Sequence, residues 1–133
     1  MDDRDGNGRP HKGIDIFAPA GAEVLAARAG TILRVIDGRQ GTTSGRRRAG
    51  LFIDLRGSDD LIYRYLHLGA TTVQKGDAVR QGAVLGTIAP PFTSGLDEAP
   101  HLHFEVRQGD YQRVREDYGL PIDPRRLLPA LRS

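Results

Sequence analysis

Cysteine is absent from the 133 residues, so the chain has neither disulfides nor thiolate metal sites, and any metal must be bound through His, Asp or Glu. No apolar run approaches the roughly 20 residues that span a bilayer, which excludes a membrane-spanning helix. The surplus of positive charge is only +2, too small to nominate nucleic acid as a partner. Lysine is scarce: Lys12 and Lys75 stand alone. Neither lies at a modifiable hairpin tip, so a lipoyl- or biotinyl-like carrier is disfavoured, although Lys75-Gly76-Asp77-Ala78-Val79 and Gly82 to Gly86 imitate the turns of such modules. The opening Met1-Asp2-Asp3-Arg4-Asp5 is acidic and does not read as a signal peptide, which leaves a cytosolic protein or one whose leader has been removed.

A sustained helical stripe is also missing. Instead, short apolar runs rich in β-branched and aromatic residues recur between turn signals: Ile14 to Phe17, Glu23 to Ala27, Gly30 to Ile36, Leu51 to Leu55, Leu61 to Leu66, Ala83 to Ile88 and Leu102 to Arg107. With Gly-rich turns at Pro19-Ala20-Gly21, Asp37-Gly38 and Gly57-Ser58-Asp59, the pattern predicts an all-β, largely antiparallel, compact sandwich or barrel-like domain with little helix. The length suits one domain. Residues 1–10 are polar and Gly-rich and are expected to be a flexible segment; the domain is expected to run from His11 to Ser133.

Several local readings stay open at this level. Asp110 to Gly119 reads as a short helix or a loop, and one helical turn is expected after Pro124. Arg46-Arg47-Arg48, between Gly45 and Gly50, reads first as a solvated loop and second as a contact to an anionic surface. Tyr63 and Tyr65 are expected to divide, one to the core and one to solvent. Asp54, Asp59 and Asp60 read as turn or solvated residues.

The four histidines carry the chemistry. His11 and Asp15 are four apart in a loop running into a strand, where i and i+4 point the same way. In His101-Leu102-His103, alternation puts His101, His103 and Glu105 on one face and Leu102, Phe104 and Val106 on the other. Same-face neighbours are roughly 7 Å apart at their bases, so two imidazoles can converge on one ion. Two histidines and a carboxylate are a set that zinc uses when it keeps a position for water. Spacing alone does not say which of His101 and His103 would bind the ion. A hydrolytic site also needs a proton acceptor and an oxyanion stabiliser, which gives His67 in Tyr65-Leu66-His67-Leu68 and the spare histidine natural roles. Glu105 is either a residue that orients a ligand or a plain surface carboxylate.

These residues carry a resemblance. His11-Lys12-Gly13-Ile14-Asp15-Ile16-Phe17-Ala18-Pro19 with Gly21 and Val24, Tyr65-Leu66-His67-Leu68, Val73-Gln74-Lys75-Gly76-Asp77-Ala78-Val79 with Gly82 and Leu85-Gly86, and Pro100-His101-Leu102-His103-Phe104-Glu105-Val106 occur in this order. From about His11 to Arg107 the chain resembles the lysostaphin-type, or LytM-like, peptidoglycan zinc endopeptidases. The resemblance implies a zinc ion on His11, Asp15 and His103, in a narrow groove. It makes His101 the general base, and gives His67 the task of positioning water or stabilising the tetrahedral intermediate. It implies cleavage of peptide cross-links or stem peptides of the bacterial cell wall, at glycyl or D-alanyl bonds, in an extracytoplasmic location. The alternative is a wall-binding or amidase-activating domain that retains the zinc site. The chain departs from the family between Ile88 and Pro100, where Ala89-Pro90-Pro91-Phe92 and Leu96-Asp97-Glu98-Ala99 replace a shorter turn. Only ten residues precede His11, which suggests a domain excised from a longer secreted protein or a shortened chain.

Overall fold

The computed structural model describes residues 13–123. His11, the expected flexible segment at 1–10 and the expected turn after Pro124 therefore lie outside the described residues. The elements run β1 (Ile14–Phe17), β2 (Glu23–Leu25), β3 (Gly30–Asp37), α1 (Ser44–Ala49), β4 (Leu51–Gly57), β5 (Ile62–Thr71), β6 (Ala78–Val79), β7 (Val84–Ile88), β8 (His101–Gln112) and β9 (Asp117–Ile122). Every strand pairing is antiparallel.

The all-β, antiparallel expectation holds, but the strands form one unclosed sheet. Its main path is β1-β8-β5-β4-β3-β6, with β9 added to β8 and the β2–β7 pair added to the far half of β5. The core lies on one face of this path. Ile32, Ile53, Leu55, Tyr63, Tyr65, Leu68, Phe104 and Val106 share a single buried cluster with Val24 of β2 and Leu85 of β7. Each fully buried aliphatic side chain there contributes roughly 1.5–3 kcal/mol.

Four local expectations are corrected. Tyr63 and Tyr65 are both buried, because residues two apart on a strand share a face. Their hydroxyls are satisfied at the core edge: Tyr65 accepts from the Ala27 N–H at 3.0 Å, and Tyr63 donates to Asp59. Asp54 is no solvated residue but is fully buried between arginines. The Arg46-Arg47-Arg48 run belongs to α1 and not to a loop: Thr43 caps it by accepting the Arg46 N–H at 3.1 Å, and the Gly50 N–H returns to the Arg46 carbonyl. Arginines in its last turn also suit the negative end of the helix. Finally, Asp110 to Gly119 is neither helix nor loop, since β8 continues to Gln112 and turns over residues 113–116 into β9.

Candidate metal centre

The strands bring Asp15, His67, His101 and His103 into one groove. In the β1–β8 register Asp15 lies opposite His103 and Phe17 opposite His101. Gly13 permits this approach: a Cβ there would run into the Phe104 carbonyl and the Glu105 side chain. His67 arrives from β5 through a bulge. Ile53 pairs with Tyr65 but Leu51 with Leu68, so β5 carries one extra residue, and His67 takes the strained left-handed conformation at φ 70°. The bulge turns Leu66 and His67 into the same groove as His101 and His103. The His67 and His101 ring centroids are 5.0 Å apart, and those of His67 and His103 are 6.1 Å apart.

The hydrogen bonds sort the ring nitrogens. His103 Nδ1 is 2.7 Å from Asp15 Oδ1, while its Nε2 is 3.0 Å from Glu105 Oε2. His101 Nδ1 is 3.0 Å from the Ala99 carbonyl, and His67 Nδ1 is 2.8 Å from the Ser94 carbonyl. A carbonyl can only accept, so both Nδ1 atoms donate, and in the neutral form of each ring Nε2 keeps the lone pair. His101 Nε2 lies 3.7 Å from Asp15 Oδ1. Burial lowers the His67 pKa, with the positive fields of His101 and His103 adding to the effect and the Ser94 contact opposing it, so His67 is neutral near pH 7. Burial opposes charge on His103 as well, but there the bonds to Asp15 and Glu105 outweigh it and raise its pKa to about 9.

Beneath the histidines runs an ionic network that the sequence reading missed. Glu105, 4% exposed, joins His103 to Arg107, whose Nη1 donates to it at 2.5 Å. Arg107 reaches Asp117 at 3.3 Å, and Asp117 also accepts from Arg64 and Arg34. Both of these arginines bond Asp54, at 2.7 and 2.8 Å. Among the described residues no buried side-chain polar atom lacks a partner. Arg64 holds Asp117 well below the ordinary carboxylate range, at about 2, despite the opposing effect of burial. Arg107 was findable, since it continues the alternation of His101, His103 and Glu105. Asp117 gave no sequence signal.

Among the described residues no three His, Asp or Glu side chains are grouped to hold an ion by themselves. The arrangement nevertheless fits one. Asp15 and His103 present adjacent ligand atoms, and the far nitrogen of His103 is braced by a carboxylate, as is usual for metal-binding histidines. The third expected ligand, His11, lies beyond the described residues. Around this centre lies a groove of about 940 Å³. One wall carries Arg46 and Arg48 of α1, and the other carries Arg115, Glu116 and Leu120 of the β8–β9 hairpin.

Comparison with known proteins identifies the family and the fold. The description "Peptidase family M23" matches residues 9–124. Cell division protein DipM of Caulobacter vibrioides is 35% identical over 124 residues, covering 93% of this chain and 18% of DipM. Peptidoglycan DD-endopeptidase ShyC of Vibrio cholerae is 32% identical over 97 residues, covering 73% of this chain and 20% of ShyC. The chain thus spans about a fifth of the length of these relatives. Among solved structures, the catalytic domain of lysostaphin from Staphylococcus simulans superposes with a TM-score of 0.70 at 28% identity, over 96% of this chain and 83% of that one. With the family pattern matched over nearly its whole length and the fold shared with a catalytic domain of that kind, the chain belongs to peptidase family M23.

Proposed function

We propose that this chain is a zinc-dependent endopeptidase domain, running from His11 to Ser133, that hydrolyses peptide cross-links or stem peptides of bacterial peptidoglycan in an extracytoplasmic setting. The observation that carries the reading is the sorting of ring nitrogens in one groove: His103 sets Nδ1 beside Asp15, whereas His101 and His67 direct Nδ1 to main-chain carbonyls and leave Nε2 as the acceptor of the neutral ring. Asp15 and His103, with His11, would hold the zinc. Zinc so held supplies Lewis acidity, which makes water a usable nucleophile near neutral pH.

The remaining work falls to the chain's own groups. Glu105 fixes the His103 ring from behind, so that Nδ1 faces the groove. His101, pinned through Nδ1 to the Ala99 carbonyl, has Nε2 free to take a proton from the attacking water and return it to the leaving amine. His67 also has an accepting Nε2 because Ser94 holds its proton on Nδ1. That favours positioning water over donating to an oxyanion. The groove's polar floor and two walls suit an extended peptide. Relatives named as a DD-endopeptidase and as lysostaphin, and others named as lipoproteins, support the wall substrate and the extracytoplasmic setting.

Incubation of the zinc-reconstituted protein with cross-linked muropeptides, read by product mass and new amino termini, tests the proposal. Cleavage that a chelator stops and zinc restores is expected. Absence of new termini from the protein alone, with wall hydrolysis appearing only when an amidase is added, would replace the reading with that of an activator.

A further inference from the structure

The arginines of the groove floor and those of the α1 wall differ in how they are paired. On the floor, Arg34, Arg64 and Arg107 are matched by Asp54, Glu105 and Asp117. On the α1 wall, Arg46 and Arg48 line the groove with no carboxylate in ion-pair range among the described residues. Arg47, by contrast, turns away from this groove and donates to the Gly41 carbonyl at 2.8 Å.

Arg46 is held by its side chain, and the backbone that carries Arg48 is packed against the His67 loop. The Arg46 guanidinium carbon lies 5.7 Å from the centroid of the buried Phe52 ring, a cation–π contact that orients the group without neutralising it. The Arg48 main chain lies close to the His67 loop: a Cβ on Gly95 would meet both the Arg48 carbonyl and His67 Nδ1. Gly95, at φ 79°, thus lets α1 close against the His67 loop. Ser94 locks that loop by accepting from the Leu51 N–H and donating to the Leu68 carbonyl, at 2.9 and 2.7 Å. Asp97 lines the same groove yet forms no ion pair with either arginine.

Resting on the peptidase reading, we propose that Arg46 and Arg48 form a carboxylate subsite that selects wall peptides bearing a free carboxylate near the scissile bond. Guanidinium groups suit this task because their donor forks match carboxylate geometry and gain strength in a partly enclosed groove. The substrate class is then the D-alanyl cross-linked peptide with free diamino-acid carboxylates. Glycyl bridges, which carry no side-chain charge, are the poorer fit.

The test uses two D-alanyl cross-linked peptide dimers, one with free diamino-acid carboxylates and one with those groups amidated, titrated against the full chain by calorimetry. The wild-type protein is expected to bind the acid form about tenfold more tightly, the scale of one charge-assisted contact. Arg46→Gln combined with Arg48→Gln should erase the preference, Arg48→Lys should keep part of it, and the control Lys75→Gln, which removes a positive charge outside the groove, should keep all of it. Circular dichroism checks folding of each variant. Equal binding of both dimers by the wild type, binding of neither, or a preference that survives the double variant would overturn the proposal. Product masses from the same samples report cleavage separately, so an acid preference without cleavage would sink the endopeptidase reading and leave the subsite standing.

Discussion

The two faces of β8 are both buried, for opposite physical reasons. Leu102, Phe104 and Val106 enter an apolar cluster, where burial is favourable by itself. His103, Glu105 and Arg107, on the other face, are 9%, 4% and 5% exposed, and they tolerate burial only because each charge meets a partner. An apolar face degrades gradually when atoms are removed. A paired polar face fails as a set, which lets one strand be both structural rib and chemical platform.

Removing a member from each face should show that difference. Phe104→Ala, which empties space against the Tyr63 and Tyr65 rings, should cost about 3–5 kcal/mol in urea unfolding, with little change between pH 7 and pH 4. Arg64→Leu should cost a similar amount, about 3–5 kcal/mol, by leaving Asp54 and Asp117 short of a cation. That deficit should shrink as pH falls, because Asp117, no longer held ionised by Arg64, then protonates more readily. An Arg64→Leu deficit as flat with pH as that of Phe104→Ala would erase the distinction between the faces.

A finer contrast comes from Asp117. Its folded pKa of about 2 lies below the unfolded value of about 3.9. Its contribution of about 2 kcal/mol is therefore present above pH 4 and lost as pH falls toward 2. Asp117→Asn should remove that step from the acid-unfolding curve. The last contrast is Glu105→Gln, which keeps the side chain's shape but weakens both the brace on His103 and the pairing with Arg107. Its signature should be a metal affinity lowered about 10- to 100-fold in a chelator competition. Unchanged affinity would make Glu105 a packing residue.

What could be read from the sequence follows the same division. Every apolar run became a strand, because burial of alternating or continuous hydrophobic residues is a local pattern. His101, His103 and Glu105 could be placed on one face by parity alone. The Asp54–Arg64–Asp117 contacts could not, since they join positions far apart in sequence through strand pairing. The bulge at His67 was equally hidden, because a left-handed conformation at a histidine has no residue signature comparable to glycine. α1 is too short for periodicity to show, and the 110–112 stretch of β8 is polar and exposed, so its hairpin left no apolar alternation to find.

The division of labour between His103 and His101 is the centre of the account, and zinc content measured on two variants tests it most directly. After identical reconstitution, His103→Ala should lose zinc and His101→Ala should keep the wild-type amount, while both lose cleavage. Wild-type zinc in His103→Ala, or its loss from His101→Ala, would contradict the assignment.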